Sequence, residues 1–128
     1  MRLLQPRDVE RRLEELANLK DRWLDGKGIA PDRARLKALL QNFDRYFDAA
    51  LPVPYLYPTP EGGVLAEWSL GHWSVSLDIE IASQTARYEA VHLTADESSE
   101  ITLNLSELAG WTSLHQQLRQ LSSPVLPE

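Results

Sequence analysis

The stretch PTPEGGVLAEWSLGHWSVSLDIEI, residues 58–81, decides the fold of this chain because it predicts a β-hairpin with a defined register. Gly71 followed by His72 is typical of a two-residue type II′ turn, in which glycine takes the first central position. Pairing outward from this turn brings eight apolar residues to one face of the ribbon. The opposite face receives Glu67 and Asp78, so a slip of one residue would bury both carboxylates. The apolar cross-strand pairs are Leu70 with Trp73, Trp68 with Val75, Ala66 with Leu77, and Val64 with Ile79.

Further strands are predicted on both sides of this hairpin. The proline-rich segment PVPYLYPTP must be extended, and it predicts a short edge strand at residues 55–57. Alternating apolar residues at 86–93 and at 100–105 predict two more strands. We expect Glu80 to lie opposite Arg87, because this register gives an oppositely charged cross-strand pair.

Three helices are predicted from apolar residues that recur at helical spacing. The first covers residues 6–22, and the second begins at Pro31 as its first residue and runs to about Ala50. A last helix follows the final strand, with Ser106 or Thr112 as its capping residue.

The fold class is therefore α+β. We expect two N-terminal helices and a C-terminal helix packed on an antiparallel sheet of four to five strands. The length of 128 residues suits a single domain over residues 1–128, with a disordered tail at 122–128. The chain has no cysteine, which excludes disulfides, thiolate metal sites and cysteine nucleophiles. No secretory pattern and no membrane-spanning apolar run occurs, so we expect a soluble, cytoplasmic protein that does not contact a membrane.

The charge is split between the two parts of the chain. Residues 1–48 contain 11 of the 13 Lys and Arg residues with nine acids, whereas residues 49–128 contain two arginines with ten acids. Such a split indicates either an interaction surface or attraction between a helical layer and a sheet within the molecule, and we favour the second. Acids interleave with the basic residues throughout the helical part, so we expect no nucleic-acid binding.

Four carboxylates form the main set of candidate functional residues. Glu67, Asp78, Glu80 and Glu89 are expected to project from the outer sheet face, with Glu67 diagonal to Asp78. Two nearby carboxylates can share a metal ion or divide acid and base roles. No histidine is spaced to join them, so we predict no metal site and no cofactor. The favoured interpretation is a solvated acidic face. A basic partner protein could use such a face through electrostatic steering.

Two sequence motifs occur on either side of the second predicted helix. They are W-x-D-G-x-G-x-x-P at Trp23–Pro31 and P-T-x-E-G-G-x-x-x-E-W at Pro58–Trp68. Together they resemble those of a group of small uncharacterised bacterial proteins, which place a Trp-Asp-Gly loop after a leading helix and a Gly-Gly turn before a Glu-Trp strand. The resemblance implies a bacterial origin and the same fold, and it implies no reaction. The matching residues are Trp23, Asp25, Gly26, Pro31, Pro58, Thr59, Gly62, Gly63, Glu67 and Trp68.

The first motif adds one more candidate residue. Asp25 is expected to bind the backbone amides of its loop in an Asx-turn, an interpretation that we favour over a catalytic role. Trp23 should close the first helix and pack under the loop. Trp68 and Trp73 are expected to face inward as core residues.

These features lead to hypotheses from different functional classes. We favour a non-enzymatic protein-interaction module, for example one that binds an operon partner in an antitoxin-like or immunity-like role, with hairpin edges free to pair with another chain. The alternative is a small hydrolase that uses a carboxylate on the outer sheet face or Asp25. A third possibility is a homodimer formed through the outer face or an edge strand, with Val91 and Leu93 at the contact.

Overall fold

The protein is an antiparallel sheet with three helices. The computed structural model describes residues 6–48 and 50–122. The five strands form one sheet in the order β1-β2-β3-β4-β5, so consecutive strands are neighbours throughout. The predicted α+β class, with two N-terminal helices and one C-terminal helix, is confirmed. The elements are α1 (Pro6–Ala17), α2 (Arg33–Tyr46), β1 (Tyr55–Pro58), β2 (Val64–Leu70), β3 (Trp73–Glu80), β4 (Thr85–His92), β5 (Ser98–Asn104) and α3 (Leu108–Ser122).

The central hairpin β2–β3 has the predicted register. Leu70 lies opposite Trp73 next to the turn, and Glu67 lies opposite Ser76 further along. Gly71 has a φ of +62°, and His72 is not among the residues of positive φ. A positive φ at the first central residue alone is the signature of a type II′ turn, as predicted.

The predicted register of the next hairpin, β3–β4, is wrong by two residues. Arg87 lies opposite Asp78, whereas the sequence had suggested Glu80 as its partner. The turn between these strands ends at Gln84, which has a φ of +60°. The observed register also replaces an unfavourable pairing of Asp78 with Glu89 by an oppositely charged pair. Because the shift is an even number of residues, every side chain stays on its predicted face.

The first helix is shorter than predicted, and a residue from α2 explains where it ends. α1 ends at Ala17, and Trp23 therefore lies in the following loop, well past the helix end. Arg33 donates from Nε to the Ala17 carbonyl at 3.4 Å and from its terminal nitrogen to Asn18 Oδ1 at 2.8 Å. The bond to the Ala17 carbonyl satisfies a backbone group that the helix end leaves without an intrahelical partner.

The second helix also begins later and ends earlier than predicted. Pro31 is buried but precedes the helix, because Asp32 is the N-cap and accepts a hydrogen bond from the Arg35 N–H at 3.0 Å. The helix does not continue to Ala50, because Phe47 turns to an extended conformation with a ψ of 130°.

The last helix begins at Leu108, so Thr112 is an internal residue rather than a cap. Its hydroxyl donates to the Leu108 carbonyl at 3.1 Å within the helix. Ser106 precedes the helix, and both its N–H and its hydroxyl donate to Asn104 Oδ1. Ser122 ends α3, and the rest of the tail for which disorder was expected, residues 123–128, lies outside the described residues.

The core lies between the helices and one face of the sheet, which we call the inner face. All three helices contribute to one cluster of buried residues, with Leu13 from α1, Leu36 from α2 and Leu114 from α3. Trp68 is only 4% exposed, as predicted, and its Nε1–H donates to the Pro52 carbonyl at 2.9 Å. Trp73 also points to this side but is half-buried. No helix among residues 6–48 and 50–122 combines the length and apolar character needed to cross a membrane.

Candidate functional site

The opposite side of the sheet, the outer face, presents polar and aromatic side chains. The register places one row of outer-face residues across all five strands, because each residue is the direct partner of the next. Three members of this row are carboxylates, and Glu89 and Glu100 lie directly opposite each other. Like charges in such a position repel. The row consists of Tyr55, Glu67, Ser76, Glu89 and Glu100.

The neighbouring row contains the cation of this face. Arg87 lies between Asp78 and Thr102, and it donates to Glu100 at 2.9 Å. This hydrogen bond and the charge of Glu100 raise the pKa of Arg87, and the charges of Glu89 and Asp78 raise it further. Arg87 is therefore a fixed cation surrounded by three carboxylates.

Five carboxylates and one guanidinium thus share the outer face of β2–β5. We call this set the outer acidic face: Glu67, Asp78, Glu80, Glu89, Glu100 and Arg87. The predicted outward placement of the first four is confirmed, including the diagonal position of Glu67 and Asp78. Glu80 is further held by Ser83, whose hydroxyl donates to Glu80 Oε1 at 2.9 Å.

Two exposed tyrosines border the outer acidic face on β1. Tyr55 is 57% exposed and lies directly opposite Glu67, and Tyr57 is 42% exposed and lies opposite Leu65. Tyrosine is enriched in protein–protein interfaces, where aromatic side chains concentrate toward the buried centre. The sequence interpretation had placed a strand here but had not included these tyrosines, or Glu100, among the candidates. Alternation along β1 and β5 was the signal that could have identified them.

Asp25, the fifth predicted candidate, lies in a tight turn rather than on the sheet. Leu24 and Lys27 exchange two backbone hydrogen bonds of 2.7 and 2.8 Å around it. Asp25 and Gly26 have φ values of +48° and +86°, which make this an Asp-Gly type I′ turn. The predicted Asx role is therefore wrong for Asp25, because it is Asp21 that accepts the loop hydrogen bond from the Ala30 N–H.

The two sequence motifs meet in space. The Ile29 N–H donates to the Pro60 carbonyl at 2.8 Å, and a Cβ on Gly62 would lie 3.2 Å from Ile29. Within the first motif, the Trp23 indole donates to the Ile29 carbonyl at 3.0 Å. Within the second, a Cβ on Gly63 would lie 2.6 Å from the Ile79 carbonyl, which explains the need for glycine there. We call this contact between residues 23–31 and 58–63 the motif junction.

A groove of about 760 Å³ separates the motif junction from the turn between β3 and β4. Asp78 and Glu80 contribute carboxylates to its lining, and Arg35 and Arg87 contribute guanidinium groups. Neither Glu67 nor Asp25 lines it. Among the described residues, no group of three or more His, Cys, Asp or Glu side chains is arranged to hold a metal ion.

Comparisons with known proteins give no family for this chain. No protein-family model, no curated protein and no solved structure matches it significantly. The outer acidic face and its two tyrosines are therefore the features of the molecule that bear on its function.

Proposed function

We propose that this chain is a non-enzymatic protein-interaction module whose outer acidic face binds a basic surface of a partner protein. The observation that carries this proposal is that the helices cover only the inner face of the sheet. None of the residues in 6–48 and 50–122 forms a covering layer over the outer face, which carries five carboxylates and one guanidinium.

The distribution of ion pairs supports binding of a partner by the carboxylates of the outer acidic face. The salt bridges between described side chains are Arg11–Asp8, Arg12–Glu15, Arg87–Glu100 and Arg119–Asp48. None joins an arginine of residues 1–48 to a carboxylate of residues 49–128, although Arg35 of α2 shares the groove with Asp78 and Glu80. The attraction expected between the helical layer and the sheet stays a prediction.

The two tyrosines can supply affinity, which exposed carboxylates alone do not provide. Charged groups on an exposed face mainly accelerate association and select the sign of the partner. Affinity in protein complexes comes largely from a few buried side chains, among which tyrosine is enriched. Tyr55 next to Glu67 therefore offers an aromatic ring that a lysine or arginine can cover while its charge meets the carboxylate.

The position of the candidate carboxylates favours this function over the hydrolase alternative. A hydrolase would place its acid or base in a concave site that limits access of water. Asp78 and Glu80 line the groove, but both are exposed to water. Glu67 and Asp25 do not line it, and Asp25 is an exposed turn residue. We further propose, from the resemblance and the absence of cysteine, that the protein is bacterial and cytoplasmic and that its partner is encoded nearby, as for an antitoxin or immunity protein.

The test compares two variants with the same change in net charge. The face variant neutralises four carboxylates of the outer acidic face, and the control variant neutralises four exposed carboxylates elsewhere. A partner recovered with tagged wild-type protein from its native cells should also be recovered with the control variant and be lost with the face variant. Equal recovery with both variants would contradict the proposal. The face variant is Glu67→Gln, Asp78→Asn, Glu89→Gln and Glu100→Gln, and the control is Glu10→Gln, Glu14→Gln, Asp25→Asn and Asp44→Asn.

A further inference from the structure

The two edges of the sheet differ in whether another strand can pair with them. At the β1 edge, the Thr59 N–H donates to the Gly63 carbonyl at 3.1 Å. Hydrogen-bonded and non-hydrogen-bonded residues alternate along an antiparallel strand, so Thr59 and Tyr57 bond to β2. The backbone polar groups of Leu56 and Pro58 then point away from β2, toward the open side of the edge. Pro58 has no N–H, and the Leu56 carbonyl already accepts a hydrogen bond from Arg12 Nε at 2.9 Å. The β1 edge is therefore closed to another strand.

The β5 edge lacks these protections. The His92 N–H donates to the Glu97 carbonyl, and the Leu105 N–H donates to the Gln84 carbonyl. These two hydrogen bonds show which residues of β5 bond to β4. By alternation, the backbone groups of Ser98, Glu100 and Thr102 point away from β4. The strand contains no proline. Among the described residues, no loop or helix donates to or accepts from these backbone groups.

Helix α3 covers only the last residue of this edge. Gly110 approaches the Asn104 carbonyl so closely that a Cβ would lie 1.9 Å from it. The open part of the β5 edge is thus limited to Ser98–Thr102, which is long enough for a short added strand.

We propose that an extended basic segment of the partner adds a sixth strand to the sheet at the β5 edge. This inference rests on the proposed function, since it names how the partner of the outer acidic face is held. Strand addition of this kind gives affinity through main-chain hydrogen bonds and specificity through alternate side chains.

The side chains of β5 define the sequence of the added segment. On the outer face, Glu100 lies opposite Glu89, so a lysine or arginine beside Glu100 relieves the repulsion between the two carboxylates. On the inner face, Ile101 is half-buried at the margin of the core, and an apolar neighbour would complete its burial. The segment therefore alternates basic with apolar residues.

Charge complementarity favours such a segment over a second copy of this chain. Two β5 strands paired antiparallel over the open segment Ser98–Thr102 would place the two Glu100 side chains directly opposite each other. The joined sheets would also form one continuous face with ten carboxylates and two guanidinium groups. Repulsion across this face opposes self-pairing, whereas a basic strand neutralises it.

The experiment uses the full chain and synthetic peptides of about nine residues, the usual upper length of a strand. The main probe alternates lysine with valine. Its controls are a peptide of the same composition in scrambled order, a glutamate–valine peptide, and the main probe N-methylated on its lysines. When a lysine lies opposite Glu100 in an antiparallel pairing, the lysine N–H faces β5, so this methylation removes the hydrogen bonds of the added strand. Hydrogen exchange at the amides of Glu100 and Thr102 reports the contact. We expect slowed exchange with the main probe, and affinity at least about tenfold weaker for all three controls.

Variants of the protein test the same contact from the other side. Thr102→Pro removes an N–H that points away from β4, so no hydrogen bond between β4 and β5 is lost. Thr102→Ala is its matched control. We expect the proline variant to lose peptide binding and the alanine variant to retain it. If the proline variant does not fold, the N-methylated peptide still decides the question, because it leaves the protein unchanged.

The remaining outcomes separate this inference from the proposed function. Equal binding of the N-methylated and main probes, together with loss of binding in the face variant, would overturn strand addition and leave the outer acidic face as the binding site. Equal binding of the glutamate–valine and lysine–valine peptides would overturn the proposed function itself. A dimer in light scattering that Thr102→Pro dissociates would assign the edge to a second copy and overturn the basic segment.

Discussion

Tyr88 carries an unpaired hydroxyl in the centre of the core. Its side chain is 0% exposed, and its hydroxyl has no hydrogen-bond partner among the described residues. Burial raises the pKa of Tyr88 to about 12, because the charged form cannot be solvated. A buried polar group without a partner destabilises the fold by ~1–3 kcal/mol.

Replacing this tyrosine by phenylalanine should therefore stabilise the protein. We expect Tyr88→Phe to raise the free energy of unfolding by about 1 kcal/mol in urea denaturation, since the ring remains and the unpaired hydroxyl is lost. Tyr88→Leu serves as the control for ring packing and should lower it. A loss of stability in Tyr88→Phe would mean that the hydroxyl has a partner, such as a buried water molecule.

His115 links α3 to the end of α2. Its Nε2 accepts a hydrogen bond from the Asp48 N–H at 3.3 Å, and its ring packs edge-on against Phe47. Burial lowers the pKa of His115, the charge of Arg119 lowers it further, and the charge of Asp48 opposes this shift. The accepting nitrogen and the lowered pKa both favour the neutral ring in the folded protein.

This shift predicts a stability that depends on pH. The unfolded chain binds a proton at His115 near its usual pKa of 6.5, whereas the folded protein resists protonation until a lower pH. The stabilising contribution is thus complete above 6.5 and is lost as the pH falls through the lowered folded pKa. Urea unfolding measured between about pH 7.5 and 5.5 should show falling stability in the wild type and a flatter profile in His115→Gln. Identical profiles would contradict this assignment.

At the scale of the elements, the start of β2 depends on one close backbone approach, that of Gly63 to the Ile79 carbonyl of β3. Gly63 lacks space for a Cβ, whereas Gly71 has open space around it but a positive φ. Gly63→Ala should therefore lower the free energy of unfolding by ~2–3 kcal/mol through overpacking. Gly71→Ala should cost only ~1 kcal/mol through backbone strain. Thermal or urea unfolding of both variants measures this order, and a smaller loss for Gly63→Ala would contradict the geometry.

Local sequence patterns predict a strand register well where the residues themselves make one register clearly more favourable than the others. The register of β2–β3 followed from the Gly71 turn and from the cost of burying Glu67. The register of β3–β4 did not, because it depends on Gln84 adopting a left-handed conformation that no local signal requires. The end of α1 was missed because its capping residue, Arg33, comes from another helix.

Part of the candidate site could be predicted from the sequence, because it too depends on a local pattern. Alternation alone placed Glu67, Asp78, Glu80 and Glu89 on one face. The motif junction could not be foreseen, because the bond between Ile29 and the second motif joins distant parts of the chain. Asp-Gly in the pattern W-x-D-G does indicate a turn at Asp25, but the sequence does not show that Leu24 and Lys27 close it with two backbone hydrogen bonds.

At the scale of the whole molecule, the sheet separates two environments. Its inner face is apolar and is covered by three helices, and its outer face is acidic and bordered by tyrosines. One edge is closed by prolines and Arg12, and the other offers free backbone groups at Ser98–Thr102. This arrangement gives a partner one face to recognise by charge and one edge to pair with.

The most direct test of the outer acidic face is carbodiimide cross-linking in native cells, followed by mass spectrometry. This reagent joins lysines of a bound partner to carboxylates that lie in direct contact with them. Our account predicts cross-links at Glu67, Asp78, Glu89 and Glu100. Cross-links confined to the exposed helix carboxylates, such as Glu10, Glu14 and Asp44, would contradict it.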